Sequence, residues 1–260
     1  MNVHLELLHG AENAFGLLDD RGAPARPDRD YAEIAGALED TDGLLVLLPP
    51  SGGATVRMRM WNPDGSEAEM CGNGIRCVAR YLAEAGDGER IVVETAAGPI
   101  DARVVERSPY SVETRIGVPR VEAERELEAG GRRWRYVPVS VGNPHAVIFV
   151  DDVDGVDLGR FGPAISTHPD FPRGSNVHFA QTLDRSTLRV RHWERGAGPT
   201  RACGTGIVAT AAAAIATRGA SSPVTVSVPG GTLVVEWTDG GAALLTGPVE
   251  RTGARELVLR

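Results

Sequence analysis

Cysteine is scarce: three residues in 260, an odd number with no C-x-x-C spacing. That excludes a disulfide framework and a cysteine-built structural zinc site, and it points to a reducing, cytoplasmic setting. No apolar run reaches the roughly 20 residues that cross a bilayer, since the Ala-rich stretch from Ile207 to Thr217 is too short. The start, Asn2-Val3-His4-Leu5-Glu6, lacks a basic region followed by an apolar one, so no signal peptide is expected. Lys and Arg form no block, and the net charge is −8. Nucleic acid and anionic membrane are therefore poor candidates as partners. Aromatic residues make up only 5%, whereas glycine is abundant at 32 residues, so many turns are expected.

What remains is 42% hydrophobic and 24% charged, enough for one large or two ordinary soluble domains. A repeat decides between them. Cys71 and Cys203 are 132 positions apart, and the same ungapped offset maps Gly10 onto Gly142, Ala14 onto Ala146, and Asp19-Asp20 onto Asp151-Asp152. It also maps Val92 onto Val224 and Gly98 onto Gly230. The chain therefore reads as two halves of similar fold: residues 1–116 with Cys71, and 117–249 with Cys203, switching near Gly117-Val118-Pro119. The last strand, Glu256 to Leu259, can return to either half and is assigned, within 250–260, to the first.

Each half gives the same order of signals. In the first, strands are expected at Val3–Leu8, Phe15–Leu18, Gly43–Leu48 and the alternating Thr55–Trp61, with a helix at Tyr31–Leu38 and a hairpin of Ile91–Thr95 and Ile100–Val105. In the second, strands are expected at Trp134–Val141, Ala146–Val150, Val177–Ala180 and Leu188–Trp193. A helical stretch is expected at Gly155–Ile165, a glycine-rich loop at Glu194–Gly198, and a hairpin at Val224–Val228 and Leu233–Trp237. The pattern predicts an α/β (α+β) chain, mostly strands, with one central helix per half.

That helix follows a cysteine both times. Cys71-Gly72-Asn73-Gly74 leads into a helix-forming run at Val78–Glu84, and Cys203-Gly204-Thr205-Gly206 into one at Val208–Thr217. A thiol just ahead of a helix meets the positive end of the dipole and unpaired N–H groups, which favours thiolate. The same N–H groups hold carboxylates. A lone cysteine reads as packing, but two at equivalent repeat positions read as two thiols aimed at one anionic substrate. Cys77, on another face of the first helix, reads as packing. The run Gly204-x-Gly206-x-x-Ala209 matches a dinucleotide fingerprint but lacks the strand and the parallel alternation that would support it. His145 and Glu194 sit in turns and map onto Asn13 and Asn62, so both halves place polar groups at matched turns around the cysteine.

At these residues the chain resembles the diaminopimelate epimerases. The resemblance runs from His9-Gly10 with Asn13 and Phe15, through Asn62, Asp64-Gly65-Ser66-Glu67 and Cys71 to Cys77. It continues at Gly142-Asn143-Pro144-His145, Asn176-Val177 with Phe179, and Glu194-Arg195-Gly196-Ala197-Gly198 to Gly206. It implies two pseudo-symmetric domains, each a curled, mostly antiparallel sheet around a central helix. It implies Cys71 and Cys203 as acid and base, with His145 and Glu194 tuning them. Backbone N–H groups of Gly72, Asn73, Gly204 and Thr205 would hold the reacting carboxylate, and Asn13, Asn62, Asn143, Asn176, Glu194 and Arg195 would bind the rest of the substrate. It implies no cofactor, no metal, and a homodimer. Ala11, Glu12, Ala14, Gly43, His178 and Pro199 depart from the family pattern.

The expected function is cofactor-independent interconversion of LL- and meso-diaminopimelate. A related two-thiol racemase for another amino acid, and a non-catalytic anion-binding module, are the alternatives.

Overall fold

Alternation along a strand sends every second side chain into a core. In Val56-Arg57-Met58-Arg59-Met60-Trp61 the valine and both methionines are buried, while Arg57 is exposed. The computed structural model describes residues 2–22 and 24–259. They fall into two units, one of residues up to Thr114 with those from Gly247 onward, the other Arg115–Thr246.

The first unit holds β1 (Asn2–Gly10), β2 (Asn13–Asp19), α1 (Asp28–Gly36), β3 (Leu44–Leu48), β4 (Val56–Trp61), β5 (Glu67–Ala68), α2 (Gly72–Ala85), β6 (Arg90–Thr95), β7 (Gly98–Arg107) and most of β8 (Tyr110–Ile116). The second holds β9 (Arg120–Val121), β10 (Arg125–Ala129), β11 (Arg132–Ser140), β12 (Pro144–Phe149), α3 (Leu158–Ser166), β13 (Asn176–Thr182), β14 (Thr187–Glu194), β15 (Gly198–Thr200), α4 (Gly204–Arg218), β16 (Val224–Val228), β17 (Gly231–Glu236) and most of β18 (Ala243–Pro248). The last strand, β19 (Glu250–Val258), returns to the first unit and pairs antiparallel with β1.

The two ladders repeat one another. In the first, β1 is antiparallel to β2, β2 parallel to β3, and β3 antiparallel to β4. Strand β4 is then antiparallel to β5 and parallel to β6, which continues antiparallel through β7 to β8. In the second, β11 is antiparallel to β12, β12 parallel to β13, and β13 antiparallel to β14. Strand β14 is antiparallel to β15 and parallel to β16, which continues antiparallel through β17 to β18.

One helix per unit lies in the curl of its sheet. Helix α2 packs against β1, β2, β6 and β7, and α4 against β9, β11 to β14, β16 and β17. A helix enclosed this way must be apolar almost all round. Helix α4 achieves it with alanine: Ala209 and Ala211 to Ala214 have no exposed surface, and their small side chains let the strands close in. Both central helices stop at a left-handed glycine, Gly86 (φ 96°) and Gly219 (φ 68°). The other two helices cover the outer faces. Helix α1 buries Tyr31, Ile34 and Ala35 over β3 and β4, with the Tyr31 ring tilted against Trp61 at a centroid distance of 4.8 Å. Helix α3 packs on β10 and β13 to β15.

The central helices begin earlier than the helix-forming runs suggest, at Gly72 and Gly204 directly after each cysteine. The glycines belong to the first turn because something packs on them. A Cβ at Gly74 would lie 2.8 Å from Leu45 Cδ2, and one at Gly206 would lie 2.3 Å from His178 Cε1. The expected loop at Glu194–Gly198 is instead a hairpin, with Glu194 paired to Gly198.

Because α4 has no room for a larger residue, Ala212→Leu should destabilise the protein by about 1–3 kcal/mol. Denaturant unfolding measures this, and unchanged stability would contradict the enclosure.

Candidate active site

In the first unit the site is built on the N-terminus of α2. Cys71 is its N-cap, half-buried, and its Sγ accepts from Gly74 N–H at 3.5 Å. Asn13 reaches the same sulfur, with Oδ1 at 3.8 Å. The orientation of Asn13 is fixed at both ends. Its Nδ2 donates to Asp42 Oδ2 at 2.7 Å, and its Oδ1 accepts from Asn73 Nδ2 at 3.1 Å. Asn73 is fixed in turn, since its Oδ1 accepts from Arg76 Nη2 at 2.8 Å. Gly72 and Asn73 are buried, as the first turn of a helix inside a sheet should be.

Asn13 follows a two-residue turn in which Ala11 (φ 54°) and Glu12 (φ 58°) are both left-handed. Side chains disfavour that region, and the turn closes the β1–β2 register of Gly10 with Asn13. Asp42 clamps the exit: its carboxylate accepts from Ala14 N–H at 2.7 Å and its own N–H donates to Ala14 O at 2.7 Å. Asn62 stays within its own turn, donating to Ser66 Oγ at 3.0 Å. Cys77 is fully buried in the core around α2.

In the second unit the site is built on the N-terminus of α4, capped by Cys203. Cys203 is buried, and Thr205 Oγ1 lies 3.8 Å from its sulfur. The expectation that both thiols lean towards thiolate fails here. Burial pushes the Cys203 thiol well up, the Glu194 carboxylate adds its negative charge and a hydrogen bond in the same direction, and Gly206 N–H and Thr205 oppose them only weakly. Glu194 is itself held by Thr200, whose Oγ1 donates to Oε1 at 2.6 Å.

His145 points at Asn143 rather than at the sulfur, with Nε2 2.7 Å from Asn143 Oδ1. Asn143 Nδ2 reaches Thr205 Oγ1 at 3.5 Å, so the Asn143 turn is tied to the first turn of α4. Asn176 braces the other side: its Nδ2 donates to Pro144 O at 3.1 Å, and its Oδ1 accepts from Arg195 N–H at 3.0 Å. The Arg195 side chain is exposed and donates to Arg173 O at 2.7 Å. Gly204 and Thr205 are half-buried.

Four residues that hold these groups carry no role legible in the sequence motifs: Asp42, Arg76, His178 and His192. The two histidines extend His145 into a buried chain. His145 Nδ1 is 2.8 Å from His178 Nε2, and His178 Nδ1 is 2.8 Å from His192 Nδ1. Asn143 Oδ1 can only accept, so the protons run one way. His145 carries its proton on Nε2, His178 on Nε2 and His192 on Nδ1, which leaves His192 Nε2 buried without a partner. Burial holds all three rings neutral, with His145 and His192 pushed down to about 3 and His178 well below its usual value. His178 sits in a strand segment, Asn176–Ala180, that is buried throughout, and nothing in the local sequence marks that burial.

The same two-unit fold recurs in known structures. A phenazine biosynthesis protein of the PhzF family from Bacillus anthracis superposes with a TM-score of 0.75 at 18% identity, over 100% of both chains. A hydroxyproline epimerase from Agrobacterium vitis superposes at 0.69 and 20% identity, over 98% of this chain and 91% of that one. The chain thus has the α/β fold of pseudo-symmetric repeats that racemases and epimerases share. The sequence profile of diaminopimelate epimerase matches it twice, over residues 7–122 and 137–252. The diaminopimelate epimerase of Pelotomaculum thermopropionicum is 42% identical over 99% of this chain and 100% of its own length. Those of Moorella thermoacetica and Synechococcus elongatus are 40% and 38% identical, over 95% and 99% of this chain and 96% and 99% of theirs. The chain belongs to the diaminopimelate epimerase family. Among the described residues no helix is long and apolar enough to cross a membrane, and no cluster of His, Cys, Asp and Glu is arranged to hold a metal ion.

The neutral histidine chain fixes the sign of a pH effect. An unfolded histidine binds a proton below about 6.5, whereas the folded rings resist until about 3. The unfolded state therefore binds more protons in that window, and stability falls as pH falls through it. The thermal midpoint should drop steadily from neutral pH towards pH ~4, and His192→Phe should make the drop shallower. A wild-type midpoint flat over this range would contradict the assignment.

Proposed function

We propose that this chain interconverts LL- and meso-diaminopimelate by moving a proton between two thiols across one α-carbon. The observation that carries this reading is the pair of cysteines, each capping the buried central helix of one of two like-folded units, in a chain of the diaminopimelate epimerase family. Inversion needs one group to take the proton from one face and another to deliver a proton to the opposite face. A single base that returned its own proton would mostly regenerate the starting isomer. The two groups must therefore differ by one proton. Cys203, kept protonated by burial and Glu194, suits the role of donor, and Cys71 that of base.

The step is simple to balance. The thiolate takes the α-proton and becomes a thiol, the electron pair spreads into the carboxylate, and the opposing thiol gives its proton to the carbon and becomes the thiolate. The intermediate is a poor carbanion, so its charge needs fixed donors. The N–H groups of Gly72 and Asn73, and of Gly204 and Thr205, lie in the first turns of the two helices and suit that task. We assign His145 to positioning, because its Nε2–H holds Asn143, and Asn143 reaches Thr205. Glu194 sets the charge of Cys203. Asn13, Asn62, Asn143, Asn176 and Arg195 are taken as contacts to the substrate's amino groups and far carboxylate; the exposed guanidinium of Arg195 suits a carboxylate.

The reaction is read as independent of pyridoxal phosphate. All 27 Lys and Arg residues are arginine, so this chain has no ε-amino group with which to form a Schiff base. The enzyme is further read as a cytoplasmic homodimer. Three free thiols suit a reducing compartment, and the dimer rests on the family resemblance.

Incubating LL-diaminopimelate with the protein in D₂O should give the meso form with deuterium at the inverted carbon. Cys71→Ala and Cys203→Ala should each lose on the order of 10²–10⁴ in rate and still bind the substrate. Turnover of proline but not diaminopimelate would favour a related racemase. Near-normal turnover by either alanine variant would end the two-thiol reading.

A further inference from the structure

Arg76 is the largest fully enclosed side chain among the described residues, and the two-thiol proton transfer gives it no part. Its guanidinium makes one hydrogen bond, from Nη2 to Asn73 Oδ1. Nε and Nη1 are buried with no partner. Space for it is made by Gly10, where a Cβ would sit 3.2 Å from Nη2. A guanidinium keeps its proton inside proteins, so a full positive charge is shut away from water. Such a charge is strongly unfavourable without a counter-charge.

Among the described residues no carboxylate pairs with it. The groups that favour the charge of Arg76 are the thiols of Cys77 and Cys71. Cys77 is fully buried and pushed up to about 12, so it stays neutral. Cys71 remains, half-exposed at the start of the same helix with Gly74 N–H already donating to its sulfur. The strands packed on α2 offer no rival. Glu6 of β1 is taken by Arg251, and His9 by Glu250. Asp19 of β2 is taken by Arg21 and Tyr81. Glu94 of β6 is taken by Ser51, and Arg103 of β7 by Glu113. On α2 itself Arg80 pairs with Glu84. The Asn13 amide oxygen, 3.8 Å from the sulfur, works the other way, as does the Asp42 carboxylate that Asn13 Nδ2 holds at 2.7 Å; that carboxylate is exposed and screened by solvent, whereas the Arg76 charge is enclosed.

The repeat sharpens the point. Adding the offset of 132 to Arg76 gives Val208, and subtracting it from Glu194 gives Asn62. One thiol therefore has a buried cation behind it and the other a carboxylate, on two scaffolds of the same ladder.

We propose that Arg76 is a positioning residue that holds Cys71 as the thiolate in the substrate-free protein, so that the pair rests with Cys71 charged and Cys203 protonated. This deepens the two-thiol reading and rests on it for its functional meaning. The residue acts through Cys71 and touches no reacting atom.

The test needs no substrate. The wild-type protein is alkylated with iodoacetamide across a range of pH, and the Cys71 peptide is followed by mass spectrometry. Cys71 should titrate below the ordinary thiol value of about 8.5. Arg76→Met should raise that midpoint by about one unit and slow alkylation about tenfold at a pH below both midpoints, and Arg76→Lys should restore most of it. Wild-type Cys71 titrating at or above the ordinary value overturns the proposal, whether or not Arg76→Met folds. A folded Arg76→Met variant with an unchanged midpoint also overturns it. Assaying epimerisation on the same samples keeps the two readings apart: a low Cys71 midpoint without epimerisation counts against the function and not against Arg76.

Discussion

The structure depends on how a helix begins when its first turn is buried. The leading N–H groups of any helix have no partner within it, and a sheet curled around the helix limits what can supply one. Serine, threonine or aspartate would be the stabilising cap. Both central helices carry cysteine instead, whose sulfur is a weak acceptor, at 3.5 Å from Gly74 N–H in α2. The cap is left half-finished, and an anion is what would finish it. The strand ladders serve this arrangement by enclosing the helix. Gly74 and Gly206 serve it by letting Leu45 and His178 lie against the first turn.

On that matched scaffold the charges are not matched. Arg76 stands behind Cys71, and Glu194 stands beside Cys203. Two identical thiols would share one proton evenly, which is a poor start for a reaction that needs one acid and one base at the same time. A buried cation on one side and a carboxylate on the other bias the pair without disturbing either cap. Polar side chains then transmit position rather than charge. In the first unit Arg76, Asn73, Asn13 and Asp42 form one run of hydrogen bonds. In the second, His192, His178, His145, Asn143 and Thr205 form another.

Much of this was legible in the sequence, for definite reasons. The cysteine followed by Gly-x-Gly located both central helices. The 132-residue offset implied that the second ladder would copy the first. Tyr110–Ile116 alternates buried and part-exposed residues and obeys the same rule as Val56–Trp61, though it is absent from the expected strands. Arg125–Ala129 is harder, because its alternation is carried by one leucine and one alanine among charges. The supporting residues were not legible at all. Nothing in Ile75-Arg76-Cys77 says that the arginine faces inwards. An arginine on a helix normally lies on the solvated side, and only the enclosure of the first two turns of α2, Gly72 to Ala79, removes that choice. His178 and His192 face each other across β13 and β14, a contact that local pattern does not encode.

Several positions where the chain breaks local rules lie around these two helix ends. Ala11 and Glu12 are left-handed without being glycine. Arg76 and His192 keep buried nitrogens without partners. Cysteine replaces the better caps. Each departure costs stability, and in a core built for stability alone they would be scattered and rare. Here Ala11 and Glu12 set the turn that delivers Asn13, Arg76 orients Asn73, and His192 ends the chain that orients His145 and Asn143. Each of these is separated from a cysteine or its helix N-terminus by at most a few hydrogen bonds, while the buried Tyr110 hydroxyl and His9 Nδ1, also without partners, stand outside the set. At these positions local rules yield to the arrangement of the side chains that hold the two helix N-termini.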